Sequence, residues 1–331
     1  TWPEASAKER KTWLEALRPD ARADDLPFLR KIFEEISENQ PSGKTEWRPV
    51  LHQLLLSIPE SGRGQALFEA HLRHYFTVPK KKTLRLFGKK TEIGLKTPDQ
   101  PAQALTPERV YGEWGFPPKS GDGRFHFALS ETAYWLRVLL PFVPPSAWCG
   151  HWGYDAAGCV RGFCENPEFR FENAAGTFRF FLEPLAEATR RYGDAAFAQA
   201  LFQHAPPNEP ALLPLAPLVS SAEVEAYFTR CEPQFAAEHL HELTAHLPRW
   251  SARLSALLLR QLAQALAAAP YHSFRFDVWL PNWHPTTPDT VEAATPKNIQ
   301  DYQLGTLHQR LFGPVRWSVD LQEKLMAFEK M

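Results

Sequence analysis

The sequence has little cysteine: four residues in 331, at Cys149, Cys159, Cys164 and Cys231. So few cysteines in a chain of this length exclude a scaffold built on disulfides. The simplest interpretation is a cytoplasmic protein whose thiols are reduced.

Long apolar runs are also missing. Even the stretch around Leu254–Leu259 is far shorter than the roughly 20 residues that cross a bilayer. The N-terminal segment is polar, with Lys8, Arg10 and Lys11 and no apolar run behind them, so we expect no signal peptide. The sequence therefore predicts no membrane partner.

Neither sign of charge is in excess, because 37 Lys and Arg residues face 38 Asp and Glu residues, for a net charge of -1. Binding to nucleic acid or anionic lipid would therefore require a local basic patch. Common catalytic motifs are absent as well: there is no P-loop, GxGxxG, nucleophile elbow or catalytic Cys/His signature. The sequence therefore favours a non-enzymatic protein without excluding an enzyme, and it indicates no cofactor.

Apolar residues and proline are plentiful. Apolar residues make up 44% of the chain, enough for a large core, and there are 30 prolines and 11 tryptophans. Many prolines lie between helical patterns, where they end one helix or begin the next. This composition favours a chain of many short helices.

Helical periodicity follows most of the chain. Residues 6–17 place Trp13, Leu14 and Leu17 on one stripe, and Phe28 begins a second, while Ser130 is predicted to cap a helix over 131–140. The clearest pattern, over 249–268, consists of Leu254, Leu257, Leu258, Leu262 and Leu266. Consecutive short helices predict an all-α fold, an α-solenoid or α-α superhelix of HEAT-like helix hairpins.

Tryptophan spacing gives mild support to a helix-pair architecture. One tryptophan stands near each of four predicted helix starts, at intervals close to three, three and two units of about 34 residues, the length of a common helical-hairpin repeat. These residues are Trp47, Trp148, Trp250 and Trp317. The segments between them do not align well, so no repeat class is assigned.

The pattern divides the chain into three segments. Residues 1–77 are predicted to be N-terminal helical repeats, 78–127 a basic hairpin with a Pro/Gly-rich insertion, and 128–331 C-terminal helical repeats with an aromatic, Pro-rich insertion at 270–296. In the second segment, alternation over 83–87 and 91–95 around a Gly-Lys-Lys turn predicts a small β-hairpin insertion.

Several short motifs resemble an uncharacterised bacterial family of helical-repeat proteins. They are Trp13–Leu17, Asp24–Leu29, Trp47–Arg48 with Leu54–Ser61, Tyr134–Leu136 with Val143–Trp148, and Pro248–Ser251. Members of that family are typically found beside MoxR-type AAA+ ATPases, von Willebrand A-domain proteins and SWIM zinc-finger proteins. The resemblance implies a scaffold or adaptor beside an ATPase system, and it implies no catalytic residues.

Two groups of residues are candidate metal ligands. His239, Glu242 and His246 share one face of a predicted helix and could bind a divalent metal with water, although the spacing is not that of a zincin because position 245 is Ala. The alternative is a solvated polar face opposite Leu240, Leu243 and Leu247.

The second group is Cys149, His151, Cys159 and Cys164, four potential zinc ligands close together in the sequence. Their spacing is irregular and contains no CxxC. The alternative is that small cysteines are buried among aromatic side chains.

Two segments are candidate binding surfaces. The predicted hairpin over 80–96 is basic, with only Glu92 opposing, so it could bind phosphate backbones or an acidic partner, or its lysines could protect a strand edge. Its basic residues are Lys80, Lys81, Lys82, Arg85, Lys89, Lys90 and Lys96. The aromatic stretch 274–285, with Trp279 and Trp283, is either a binding loop or a lid over the core.

These observations leave three hypotheses. The first is a non-enzymatic protein-interaction scaffold or adaptor, which contacts a protein partner through its curved surface and its two insertions. The second is a nucleic-acid-binding helical-repeat protein that uses the hairpin over 80–96. The third is a metal-dependent hydrolase that uses the face of His239 and His246.

Overall fold

A computed structural model describes residues 2–18, 21–39, 47–78, 93–119, 130–173, 176–247 and 249–268. The chain forms two compact units, Thr1–Asp194 and Ala195–Met331. The division by sequence pattern into 1–77, 78–127 and 128–331 stays a prediction. No helix in the described ranges is both long enough and apolar enough to cross a membrane.

Where the structure describes it, the first unit is helical apart from one short pair of strands. Its α-helices are α1 (Ala7–Leu17), α2 (Leu26–Asn39), α3 (Arg48–Ser57), α4 (Arg63–Ala70), α5 (Glu131–Leu139), α6 (Pro145–Trp152), α7 (Ala156–Glu165) and α8 (Leu182–Tyr192). Strands β1 (Arg170–Asn173) and β2 (Gly176–Arg179) pair antiparallel between α7 and α8. A π-helical segment, Glu108–Glu113, and several 3₁₀ turns connect these elements.

Local side-chain caps explain several helix starts. Ser6 and Glu9 form a capping box at α1, in which the Ser6 side chain accepts the Glu9 amide and the Glu9 carboxylate accepts the Ser6 amide. Ser130 accepts the Ala133 amide at α5, as predicted, and Asp155 accepts the Gly158 amide at α7.

The core of the first unit has an aliphatic part and an aromatic part. Leu14 of α1 packs with Leu29 and Ile32 of α2 and with Leu51 and Leu54 of α3 in one apolar cluster. The aromatic part surrounds Trp148 of α6, which is fully buried. Its neighbours by ring-centre distance include Phe68 (4.8 Å), Phe76 (4.8 Å), Trp152 (4.9 Å) and Phe163 (5.4 Å).

The second unit contains α9 (Ala195–His204), α10 (Ser221–Arg230), α11 (Pro233–His246), α12 (Ala252–Ala268) and a 3₁₀ segment, Pro210–Leu218. Buried Tyr227 ties α10 to the preceding loop, because its hydroxyl accepts the Glu209 amide at 2.8 Å and donates to the Glu209 carbonyl at 3.2 Å. Buried Gln261 of α12 donates to the carbonyls of Phe228 (2.6 Å) and Cys231 (3.3 Å) and so closes the end of α10.

The all-α prediction is confirmed, whereas the predicted β-hairpin over 83–95 is not supported. Residues 79–92 lie outside the described part, and the adjoining segment contributes only an isolated bridge between Phe76 and Leu95. The strands that are described, β1 and β2, lie elsewhere in the sequence. The aromatic insertion at 270–296 also lies outside the described residues.

Candidate interaction surface

The predicted histidine face lies on α11. His239 Nδ1 is 3.6 Å from Glu242 Oε2 one turn later, and its ring packs on Phe235 at a ring-centre distance of 4.8 Å. Leu240 and Leu243 of the same helix are fully buried. Among the described residues, no three or more His, Cys, Asp or Glu side chains are grouped as a metal site. Metal binding by His239, Glu242 and His246 therefore has no geometric support here and stays a prediction.

The Cys/His group lies on α6 and α7. The sulfurs of Cys149 and Cys159 are 3.8 Å apart, and burial is the main cause that raises the pKa of both thiols. Cys164 is buried. His151 Nε2 is buried without a hydrogen-bond partner, and its ring packs against Phe68 at 5.8 Å. Zinc binding needs deprotonated thiolates, so this burial favours cysteines packed among aromatic rings over a zinc site.

The other predicted binding residues lie almost entirely outside the described part. These are Lys80, Lys81, Lys82, Arg85, Lys89, Lys90, Trp279 and Trp283. Lys96, which is described, forms an exposed ion pair with Asp99 at 3.4 Å. Its charge is therefore shared with a neighbouring carboxylate.

A cavity of about 430 Å³ opens between α4 and α6. It is lined by Gln65, Phe68, Glu69, Arg73, Ser146, Ala147, Gly150 and His151. Arg73 and Glu69 form an ion pair within this lining. Burial is the main cause that lowers the pKa of His151, so this ring is neutral at pH 7. No hydroxyl or thiol of the lining hydrogen-bonds to His151, so the cavity does not show the paired nucleophile and base of covalent catalysis.

An exposed cluster of aromatic rings lies at the N-terminal end of the first unit. Trp2 packs against Trp13 of α1 at a ring-centre distance of 6.1 Å and against Phe28 of α2 at 5.7 Å. Trp13 and Phe28 are each 44% exposed, which makes them, with Val78, the large apolar side chains that are most exposed in the described part. We call Trp2, Trp13 and Phe28 the aromatic patch.

The aromatic patch is fixed to the core beneath it. Trp2 meets the buried ring of Trp47 edge to face at 5.4 Å, and Arg10 Nε donates to the Trp2 carbonyl at 3.1 Å. The Arg10 guanidinium also lies 5.4 Å from the Trp2 ring centre and 5.8 Å from that of Trp47. Rings that are held in place lose little side-chain entropy on binding, which is a property of interface anchors.

The sequence pattern placed Trp13 and Phe28 on helices but missed their exposure. Trp13 was predicted on one stripe with Leu14 and Leu17, whereas the structure buries Leu14 completely and leaves Trp13 at the edge of the stripe. Trp13 is next to Leu14 in the sequence, and adjacent residues point about 100° apart on a helix, so both cannot face the core equally. Helical phase relative to Leu14 was therefore the signal that could have identified the patch.

The chain belongs to a family of unknown function, DUF5691. The family match covers residues 1–316 and thus includes the aromatic patch, the cavity and both compact units up to that point. No curated protein and no solved structure matches the chain.

Membership of DUF5691 confirms the resemblance at its coarser level, that of an uncharacterised family. The association with MoxR-type AAA+ ATPases, von Willebrand A-domain proteins and SWIM zinc-finger proteins stays a prediction.

Proposed function

We propose that this member of DUF5691 is a non-enzymatic adaptor that binds a protein partner through the aromatic patch. The supporting observation is that Trp13 and Phe28 are both exposed and both pack against Trp2, whose ring rests on the buried ring of Trp47. Contiguous exposed rings of this kind are rare on surfaces that only face water, and they are typical of protein interfaces.

The patch defines the chemistry of its partner. Two half-exposed rings beside the partly buried Trp2 suit a protein segment that inserts an aliphatic or aromatic side chain between them. Such an anchor removes apolar surface from water on both partners, and a few aromatic residues of this type usually carry most of the binding energy.

We further propose that the partner belongs to an AAA+ ATPase system, as the family resemblance implies, and that the helices form a HEAT-like solenoid. Helix packing within each unit supports the second point. In the second unit α9 packs on α10, α10 on α12, and α11 on α12. Contacts between helices that are near each other in the sequence are those expected of stacked hairpins.

The two alternatives have less support among the described residues. The nucleic-acid hypothesis depends on the hairpin over 80–96, most of which lies outside the described ranges. The hydrolase hypothesis depends on His239, Glu242 and His246, which show only the His239–Glu242 contact.

A binding measurement with purified proteins tests the adaptor proposal. The full chain is titrated with a MoxR-type AAA+ ATPase from the same genome, and the dissociation constant is compared with that of the double variant Trp13→Ser, Phe28→Ser. Loss of two anchors is expected to weaken binding by about 2 kcal/mol or more, which is roughly thirtyfold or more. The matched control is Val78→Ser, which removes an apolar side chain that lies outside the patch and is 55% exposed, somewhat more than Trp13 and Phe28.

Equal binding by wild type and double variant would remove the aromatic patch from the proposal. No binding of the ATPase by the wild type would remove the named partner. Sedimentation of the same samples identifies self-association: if the wild type dimerises and the double variant does not, the patch binds a second copy of the chain instead of the ATPase.

A further inference from the structure

A second surface of the first unit gathers basic side chains around Phe33 of α2. The Arg63 guanidinium lies 4.1 Å from the centre of the Phe33 ring, and the His52 ring meets Phe33 edge to face at 5.2 Å. Arg30 stands one turn before Phe33 on the same helix, and Arg48 one turn before His52. We call Arg30, Arg48, His52 and Arg63 the basic cluster.

Three helices build the basic cluster. Helix α2 provides Arg30, α3 provides Arg48 and His52, and α4 begins at Arg63. Side chains from these three helices lie close enough for their charges to act on one another. This arrangement differs from a row of exposed lysines along one helix, because its geometry is set by packing around Phe33.

The positive charge of the basic cluster is not neutralised by the described part of the chain. No described carboxylate forms an ion pair with Arg30, Arg48 or Arg63, although ion pairs hold other arginines, such as Arg137 with Glu183 and Arg191 with Glu187. Within the described ranges, the hydrogen bond that Arg30 donates goes to a backbone carbonyl, that of Glu60, at 3.5 Å.

Two nitrogens of the basic cluster are buried and have no hydrogen-bond partner among the residues that the structure describes. They are Nε of Arg48 and Nε2 of His52. Buried polar atoms of folded proteins are nearly always satisfied, so each exception requires an explanation, for which an unassigned ion is one recognised cause. Partly buried cations without counter-charge are also unfavourable.

The cations of the cluster act on one another. Burial, followed by the charges of Arg48 and Arg63, lowers the pKa of His52 to about 4. Burial and the charge of Arg30 lower the pKa of Arg63. His52 is therefore neutral at pH 7, and the positive charge of the cluster is that of its three guanidinium groups.

We propose that the basic cluster binds a phosphate group. A phosphate dianion compensates three guanidinium charges better than a singly charged carboxylate does, and it offers enough oxygens to accept from several arginines at once. This binding site is separate from the aromatic patch and does not depend on the adaptor proposal.

Calorimetric titration of the full chain with inorganic phosphate tests this site. Arg30→Gln and Arg63→Gln are each expected to weaken phosphate binding by about tenfold or more, because each removes a charge-assisted hydrogen bond. Arg30 is exposed, so its replacement leaves the fold intact even if Arg63→Gln perturbs α4. The control is Arg190→Gln, which removes an exposed arginine that Glu187 already neutralises.

Two further comparisons identify the ligand. Acetate at equal ionic strength is expected to bind at least about tenfold more weakly than phosphate, and equal binding would overturn the choice of phosphate. A short phosphoserine peptide separates the two sources of a phosphate group: tighter binding than inorganic phosphate assigns the site to a phosphorylated side chain, and equal binding assigns it to free phosphate.

The His52 resonance gives a readout that is independent of affinity. Bound phosphate is expected to raise the pKa of His52, and His52→Phe identifies its signal by the loss of one imidazole from the NMR spectrum. Unchanged titration of His52 in saturating phosphate, or equal phosphate binding by wild type, Arg30→Gln and Arg63→Gln, would overturn the proposal.

Discussion

The first unit contains two groups of contacting aromatic rings, one of which is buried in the core while the other is exposed at the surface. Around Trp148 the rings are fully buried, with centres about 5 Å apart, and they join α4, α6 and α7 into one core. Around Trp2 the rings also contact one another, yet Trp13 and Phe28 remain 44% exposed. Ring contact alone thus does not distinguish rings of the core from rings that remain accessible at the surface, whereas exposure does.

Replacing one tryptophan in each group tests this distinction most directly. Trp148→Ala is expected to lower the free energy of unfolding by about 3–5 kcal/mol, because it leaves a cavity among buried rings. Trp13→Ala is expected to lower it by less than about 1 kcal/mol, because half of its ring already faces water. Urea unfolding followed by circular dichroism measures both. Comparable losses would show that the aromatic patch stabilises the fold and is not reserved for a partner.

The sequence predicted the helices better than the surfaces they form. Periodicity and caps located α5 after Ser130 and most of α12, because these signals depend on residues within one or two turns. The basic cluster depends on His52 and Arg63 meeting at the ring of Phe33, with Arg30 near Arg63. No local pattern records that three helices will bring these residues together, so the cluster appeared only in the structure.

The predicted functional residues show the same limit. His239 and Glu242 were correctly placed one turn apart on one helix, and the structure shows that contact. Cys149, His151, Cys159 and Cys164 were grouped by proximity in sequence, and within this group the structure brings the sulfurs of Cys149 and Cys159 to 3.8 Å, from two consecutive helices. Proximity in sequence indicated which helices were involved and not which atoms would meet.

The ring of His52 is neither fully buried, like the rings around Trp148, nor as exposed as those of the aromatic patch. It packs on Phe33 and lies near the charges of Arg48 and Arg63. Its pKa falls from 6.5 to about 4 on folding. A group whose pKa is lowered in the folded state binds a proton more readily when unfolded, so its contribution to stability is complete above pH 6.5 and is lost as the pH falls towards 4. The expected loss is about 3 kcal/mol.

Urea unfolding of wild type and His52→Phe at several pH values measures this contribution. The phenyl ring keeps the contact with Phe33 but does not titrate, so the variant is expected to lose less stability than wild type between pH 6.5 and 4. Parallel curves for the two proteins would show that folding does not change the pKa of His52 and that its environment resembles the exposed patch more than the core.

At Gly64, next to the buried aromatic region, there is no space for a side chain. A Cβ at Gly64 would lie 1.9 Å from the carbonyl oxygen of Phe142 and 2.2 Å from the hydroxyl of Tyr192, so α4 could keep its place only if neighbouring backbone moved. Because α4 carries Phe68 onto Trp148, we expect Gly64→Ala to lower the free energy of unfolding by about 1–3 kcal/mol.

The matched control is Gly150→Ala, on α6, where a Cβ meets nothing within 4 Å. There the new side chain is expected to stabilise the helix by up to about 1 kcal/mol, since alanine is the better helix former. Thermal unfolding of both variants measures the pair. Suppose instead that both substitutions changed the free energy of unfolding in the same direction. The close approach of α4 to Phe142 and Tyr192 would then not limit the packing of the buried region, and only exposure would distinguish this region from the aromatic patch.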